Sequence, residues 1–165
     1  MHPAVGQATT TTKNVDCIVI GAGIAGASVA AWLAGEASVA VLEAEPHAGY
    51  HSTGRSAALY SALYGNATIR ALTRASLGYF RTPPQGMVKQ ALLRERPTLF
   101  LVGKGQLDLV AGFTADADVR ERTTTLSADE VLARVPLLQR DQVAGALLDA
   151  TSADIDVDLL HQGFL

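Results

Sequence analysis

The chain has a single cysteine, Cys17, among 165 residues. A disulfide framework inside the chain is thereby excluded. Its place between Asp16 and Ile18, in an apolar run, predicts a buried strand thiol rather than a reactive one. Clustered positive charge is also missing. Lys and Arg number 13 against 16 Asp and Glu, for a net charge of −3, and the basic residues are scattered. Nucleic acid and anionic membranes are therefore excluded as expected partners. No run approaches the ~20 continuous apolar residues of a membrane span. The longest, residues 17–33, is broken by glycines, so no transmembrane segment is expected. The first fourteen residues, MHPAVGQATTTTKN, lack the basic start and apolar centre of a secretory signal and read as a disordered tail. A cytoplasmic location is the expectation. His2, His47, His51 and His161 have neither metal-like spacing nor an acid partner, so no metal site is expected and solvated or packing roles are assigned to them.

What is present suffices for one globular domain: 48% of the residues are hydrophobic, and glycine, proline and charge are near ordinary usage. CIVI is a short β-branched run, as for a strand buried on both faces. Ile24 to Leu33, rich in alanine and stopped by Gly35, predicts a helix packed on something flat. Ser38 to Glu43 predicts a second buried strand, completing a parallel, right-handed βαβ unit with strands at 16–20 and 38–43. A loop follows that becomes helical near Arg55. Asn66 caps a predicted helix over 67–80, with Ile69, Leu72 and Phe80 on or near one face, and Pro83 and Pro84 forbid its continuation. RPTLFLVG and VAGALL read as strands. Ser127 to Glu130 is a capping box opening a short helix that ends near Pro136. The last stretch, DIDVDLLHQGFL, carries an apolar helix pattern. No internal repeat is visible.

Gly21-x-Gly23-x-x-Gly26 follows a strand and opens a helix, the context a dinucleotide fingerprint requires. The first glycine permits the turn, the second lets backbone approach a pyrophosphate, and the third lets helix and strand pack closely. The helix N-terminus adds unpaired N–H groups and a partial positive charge. Glu43 ends the second strand where an acid hydrogen-bonds a ribose hydroxyl, and its charge argues against a 2′-phosphate. These features alone leave FAD and NAD as alternatives, beside a tight βα turn with no ligand.

The next segment, GYHSTGRSAALYS, places Ser52, Thr53, Arg55 and Ser56 in a small-residue loop running toward a second helix start. It supplies hydroxyls, a guanidinium and backbone donors for a second approach to a pyrophosphate and a flavin ring. An NAD-linked dehydrogenase has no need of it. Through VIGAGIAGAS, GYHSTGRSAA, IRALT and ADIDVDLLHQG, in that order, the chain resembles the FAD-dependent D-amino acid oxidase/dehydrogenase superfamily, and within it the D-arginine dehydrogenase-like branch. The resemblance covers residues 15–165.

The resemblance implies an α/β fold: a tail over 1–14, a Rossmann-type FAD-binding portion over 15–85, the incomplete beginning of an antiparallel substrate domain over 86–150, and a helix over 151–165 returning to the FAD domain. It implies oxidation of the Cα–N bond of a D-amino acid or related amine, with FAD taking the hydride and an unknown acceptor the electrons. Carried over position by position, Gly21, Gly23, Ala25, Gly26, Glu43, Ala44, Ser52, Thr53, Gly54, Arg55, Ser56, Ala57, Ala58 and Leu59 line FAD, and His51 has a lesser claim. Tyr64 matches a tyrosine on a mobile loop over the substrate, with a half-buried turn aromatic as the alternative. No catalytic residue is assigned. Leu59 stands where the branch has a histidine, and Thr98 where an acid meets a basic substrate, so a neutral or apolar D-amino acid is expected in place of D-arginine. Family members are more than twice as long, which implies an N-terminal portion of an enzyme. An NAD-linked dehydrogenase and a non-catalytic remnant or interaction module are the alternatives.

Overall fold

The computed structural model describes residues 12–165. His2 and most of the predicted tail lie outside the described residues. The chain divides into two compact units, one reaching to Arg55 and including Phe164 and Leu165, the other running from Ser56 to Gly163.

The first unit opens with the predicted βαβ motif. Strand β1 (Cys17–Ile20), helix α1 (Ile24–Leu33) and strand β2 (Val39–Leu42) follow in order. β1 and β2 pair in parallel from Cys17↔Val39 to Ile20↔Leu42. Their start is clipped by Asp16, whose Oδ2 accepts from Ser38 N at 2.9 Å and Ser38 Oγ at 2.6 Å. Those bonds hold the Asp16 carboxyl below its ordinary pKa.

The burial of this motif differs from expectation. One face of β1 meets α1, but Ile18 and Ile20 on the other are 60% and 86% exposed. The strand is thus covered on one side only, and Cys17 is half-buried. Trp32, at the far end of α1, is also exposed. Helix and strand periodicity placed the elements correctly; which faces are covered depends on neighbours that periodicity does not name.

No helix starts at Arg55. Residues 48–55 close into turns instead. Gly49 takes φ +74, in the left-handed region where a helix does not continue, and Gly54 N donates back to Gly49 O at 2.8 Å.

The second unit begins with the two-residue strand β3 (Leu59–Tyr60), entered through Ala58 at φ 55. Helix α2 (Ala67–Arg81) follows, and Asn66 caps it by accepting from Ile69 N. Next come β4 (Leu93–Glu95), β5 (Thr98–Val102), α3 (Leu107–Thr114), α4 (Ala117–Arg122), β6 (Thr123–Ser127), α5 (Ala128–Arg134), β7 (Gly145–Asp149), β8 (Ala153–Ile155) and α6 (Val157–Phe164). Two antiparallel sheets result, ordered β3-β8-β4 and β5-β7-β6. The Ser127 capping box is complete, with Glu130 N donating to Ser127 Oγ and Ser127 N donating to Glu130 Oε2. Leu126, Val131, Val143 and Ala146 form the core where α5 covers β6 and β7.

Of the three residues expected on or near one face of α2, Phe80 is sheltered and the other two are not. Ile69 and Leu72 are exposed. The sheltered row is Arg70, Thr73, Arg74, Leu77 and Phe80, a helical i, i+3, i+4, i+7 stripe with a guanidinium at its most buried position. The architecture is α/β, a parallel βαβ unit followed by antiparallel sheets.

Candidate functional site

In the first unit, the glycine turn joins β1 to α1. Gly21 adopts φ +94, which disfavours any side chain there. A Cβ on Gly26 would lie 1.9 Å from Gly21 O and 3.3 Å from Val19 Cγ1. The third glycine is therefore obligatory for the turn to fold back on its own helix. A Cβ on Gly23 would meet Thr53 Oγ1 at 3.2 Å.

The α1 N-terminus is only partly satisfied by the protein. Ile24 N donates to Thr53 Oγ1 at 2.9 Å, and Ala27 N to Gly23 O at 2.8 Å. The N–H groups of Gly23 and Ala25 lie at the α1 start, ahead of the first intrahelical bond, and Ala25 is exposed. Orphan donors at a helix start, with no side chain shielding them, suit a phosphate.

Glu43 follows β2 and folds back beside that turn. Its Oε2 accepts from Ala22 N at 2.8 Å, and its Oε1 from Ala44 N at 2.8 Å and Glu45 N at 3.0 Å. The Glu45 N–H, then that of Ala22, hold its carboxyl below the ordinary value, so it is an anion. Of roughly four lone-pair sites three are used, which leaves one for a hydroxyl donor.

Thr53 is buried; Ser52, Gly54, Arg55 and Ala44 are exposed. Gly54 sits so near Gly49 that a Cβ would reach Gly49 O at 2.9 Å. The Arg55 guanidinium lies 5.2 Å from the centre of the Tyr50 ring, and His51 Nε2 is 2.8 Å from Glu45 Oε1. His51, given no acid partner by the sequence pattern, has one.

In the second unit, a cavity of about 590 Å³ is lined by Ser56, Ala57, Ala58, Leu59, Tyr64 and Phe100, among others. Its walls hold no carboxylate, amine or guanidinium. Tyr64 is 78% exposed, so it is not the half-buried turn aromatic weighed as the alternative. Thr98 is absent from these walls; it bonds Ser152 Oγ at 2.9 Å. Phe100, two residues along β5, and Phe113 of α3 line the cavity and were not anticipated. Strand alternation puts Phe100 on the face of Thr98, a signal present in TLFLV. Nothing in the sequence singles out Phe113.

Among the described residues no cluster of side chains could hold a metal ion, and no helix is long and apolar enough to cross a membrane. Glycine oxidase from Bacillus cereus ATCC 14579 has the same fold, with a TM-score of 0.74 at 19% identity over 92% of this chain and 42% of that one. L-alpha-glycerophosphate oxidase from Mycoplasma pneumoniae, solved with FAD bound, gives 0.76 at 14% over 93% and 42%. L-proline dehydrogenase from P. horikoshii gives 0.72 at 21% over 93% and 41%. The chain thus spans about two fifths of the length of these relatives. The family model described as FAD dependent oxidoreductase matches residues 16–165, and the chain belongs to that family, whose cofactor is FAD.

Proposed function

We propose that the chain contributes the adenosine diphosphate site and part of the substrate site of an enzyme that oxidises the Cα–N bond of an amino acid, a D-amino acid or related amine in the reading favoured here. The observation that carries it is the glycine turn: an obligatory Gly26, the N–H groups of Gly23 and Ala25 at the start of α1, and an anionic Glu43 with one acceptor site left.

In this reading the N–H groups of Gly23 and Ala25 bind the pyrophosphate, and Glu43 accepts from a ribose hydroxyl. Ala44, Ser52, Thr53, Gly54 and Arg55 complete the adenosine diphosphate side, and Thr53 fixes the helix start through Ile24 N. Ser56, Ala57, Ala58 and Leu59 offer small, uncharged walls to the isoalloxazine, and Tyr64 stands over the substrate. FAD, when bound, supplies a hydride acceptor for the Cα–H bond. The protein's part is to exclude water with apolar walls and to orient the amine. Family membership favours FAD over the NAD-linked alternative. The full-length enzyme purified with flavin absorption supports the reading; a colourless one that binds NAD sinks it.

The substrate we infer is neutral. Among the described residues the cavity lining has no carboxylate. A charge-assisted contact contributes about 1.5–3 kcal/mol, roughly ten- to a hundredfold in affinity. D-leucine should therefore be turned over in preference to D-arginine. The solved relatives include an L-proline dehydrogenase, so L-leucine belongs in the same assay; higher turnover of the L-isomer would reverse the stereochemical part alone.

A further inference from the structure

Arg70 is the one residue of α2 that the fold buries, and helix formation does not require it there. The helix start already has its cap in Asn66, whose Oδ1 accepts from Ile69 N at 3.0 Å. A guanidinium held at such a position costs desolvation unless its donors are used. Two of its nitrogens donate to acceptors, while Nε is buried with no hydrogen-bond partner and faces a carboxylate only across an ion-pair distance. Arg70 Nη1 donates to Gly65 O at 3.2 Å, Nη2 to Asp116 Oδ2, and Nε lies 3.7 Å from Asp118 Oδ2. The carboxylates are fixed in turn. Asp116 caps α4 by accepting from Asp118 N at 3.0 Å, and Asp118 takes Arg74 Nη1 at 2.7 Å and Arg122 Nε at 2.9 Å.

The acceptor that matters is Gly65 O, because the residue before it is Tyr64. Gly65 has φ +80, and a Cβ there would press on Ile69 at 3.0 Å. The turn is thus folded tightly onto the first turn of α2. At its other end Tyr64 N donates to Ser61 O at 3.4 Å, and Ser61 Oγ is tied to buried Asp149 at 3.3 Å. Tyr64 itself is largely exposed while lining the cavity, so packing does little to hold its ring. Its place is set by the backbone on either side.

We propose that Arg70 is a positioning residue: through Gly65 O it fixes the turn that carries Tyr64 at the cavity, with Asp116 and Asp118 as its anchors. The proposal rests on the reading of Tyr64 as a substrate-facing side chain. The two terminal nitrogens of a planar fork reach a carbonyl and a carboxylate at separate positions, which the single nitrogen of an ammonium on a flexible stem does not reproduce.

The test compares three variants of the FAD-loaded holoenzyme with D-leucine as substrate and amide hydrogen exchange over residues 61–66 as a second readout. Arg70→Met should raise KM about tenfold with kcat within about twofold, and exchange in that segment should accelerate. Arg70→Lys keeps the charge beside the carboxylates but loses Gly65, so it should reproduce both effects with a smaller fall in Tm; it also carries the test if the Met variant does not fold. Arg74→Met removes the other α2 arginine bonded to Asp118 and makes no contact with the turn, so Tm should fall while KM and exchange stay put. If Arg70 and Arg74 variants change exchange and KM alike, Arg70 is only a clamp between helices and the proposal is overturned. Faster exchange at 61–66 with KM unmoved upholds the positioning and sinks the substrate role of Tyr64. An enzyme that turns over no amine removes the proposed reaction, and the exchange comparison still decides the turn.

Discussion

At the scale of single residues, backbone proximity separates the three glycines more sharply than their spacing does. Gly26 has no alternative: a methyl group would sit 1.9 Å from Gly21 O. Overpacking of this kind typically costs about 1–3 kcal/mol. Gly26→Ala should therefore lower Tm by several degrees and weaken FAD binding, read by flavin fluorescence; unchanged Tm would show that the turn has slack the geometry denies. Glu43 makes a pH prediction. Its folded pKa is depressed, chiefly by the Glu45 and then the Ala22 N–H. Its contribution is present above the unfolded carboxylate pKa and is lost as pH falls through the lower folded value. FAD affinity should thus hold steady while ordinary carboxylates titrate and fall only below them, with Glu43→Gln weaker throughout and lacking that fall. A variant with the wild-type pH profile would acquit Glu43.

At the scale of elements, the same logic tests α5 and the α2–α4 link. Ser127→Ala removes a complete capping box and should cost about 1 kcal/mol by denaturant titration. Asp118 is held below its ordinary pKa, first by the Arg122 hydrogen bond and then by the charges of Arg74 and Arg70. With a depressed folded value, its stabilisation is lost as pH falls through that value. Asp118→Asn should lower Tm at neutral pH, and the gap from wild type should close on acidification; a gap constant with pH would assign the loss to something other than charge.

The same two elements mark what the sequence could reveal. Ser127, Glu130 and Asn66 were legible because a cap is a local contract among residues three apart. The buried face of α2 was not. Periodicity nominated Ile69 and Leu72, whereas the fold buries Arg70 because carboxylates more than forty residues later come to meet it. Thr53 stood out as a small residue of the segment expected to approach the flavin. Its bond to Ile24 N was not legible, since it joins residues 29 apart in sequence that only the folded loop over 48–55 brings together.

At the scale of the molecule, the first unit is a two-stranded parallel sheet with α1 on one face. Parallel sheets are ordinarily covered on both faces. Here Ile18, Ile20 and Leu42 are 60%, 86% and 54% exposed, with Trp32 at 71%. Apolar surface of this kind favours association or aggregation over a well-ordered monomer. Each outer strand edge also offers unpaired backbone groups to another chain. The proposed adenosine diphosphate site rests on this sheet, so its precision depends on the sheet's being held. We expect these 165 residues, produced by themselves, to self-associate, to bind FAD weakly and to turn over no amine. Sedimentation and titration with FAD on that polypeptide decide it. A monodisperse monomer with stoichiometric, tight FAD would show that α1 and the Glu43 turn alone keep the sheet in order, and the exposed face of β1 would then carry no energetic weight.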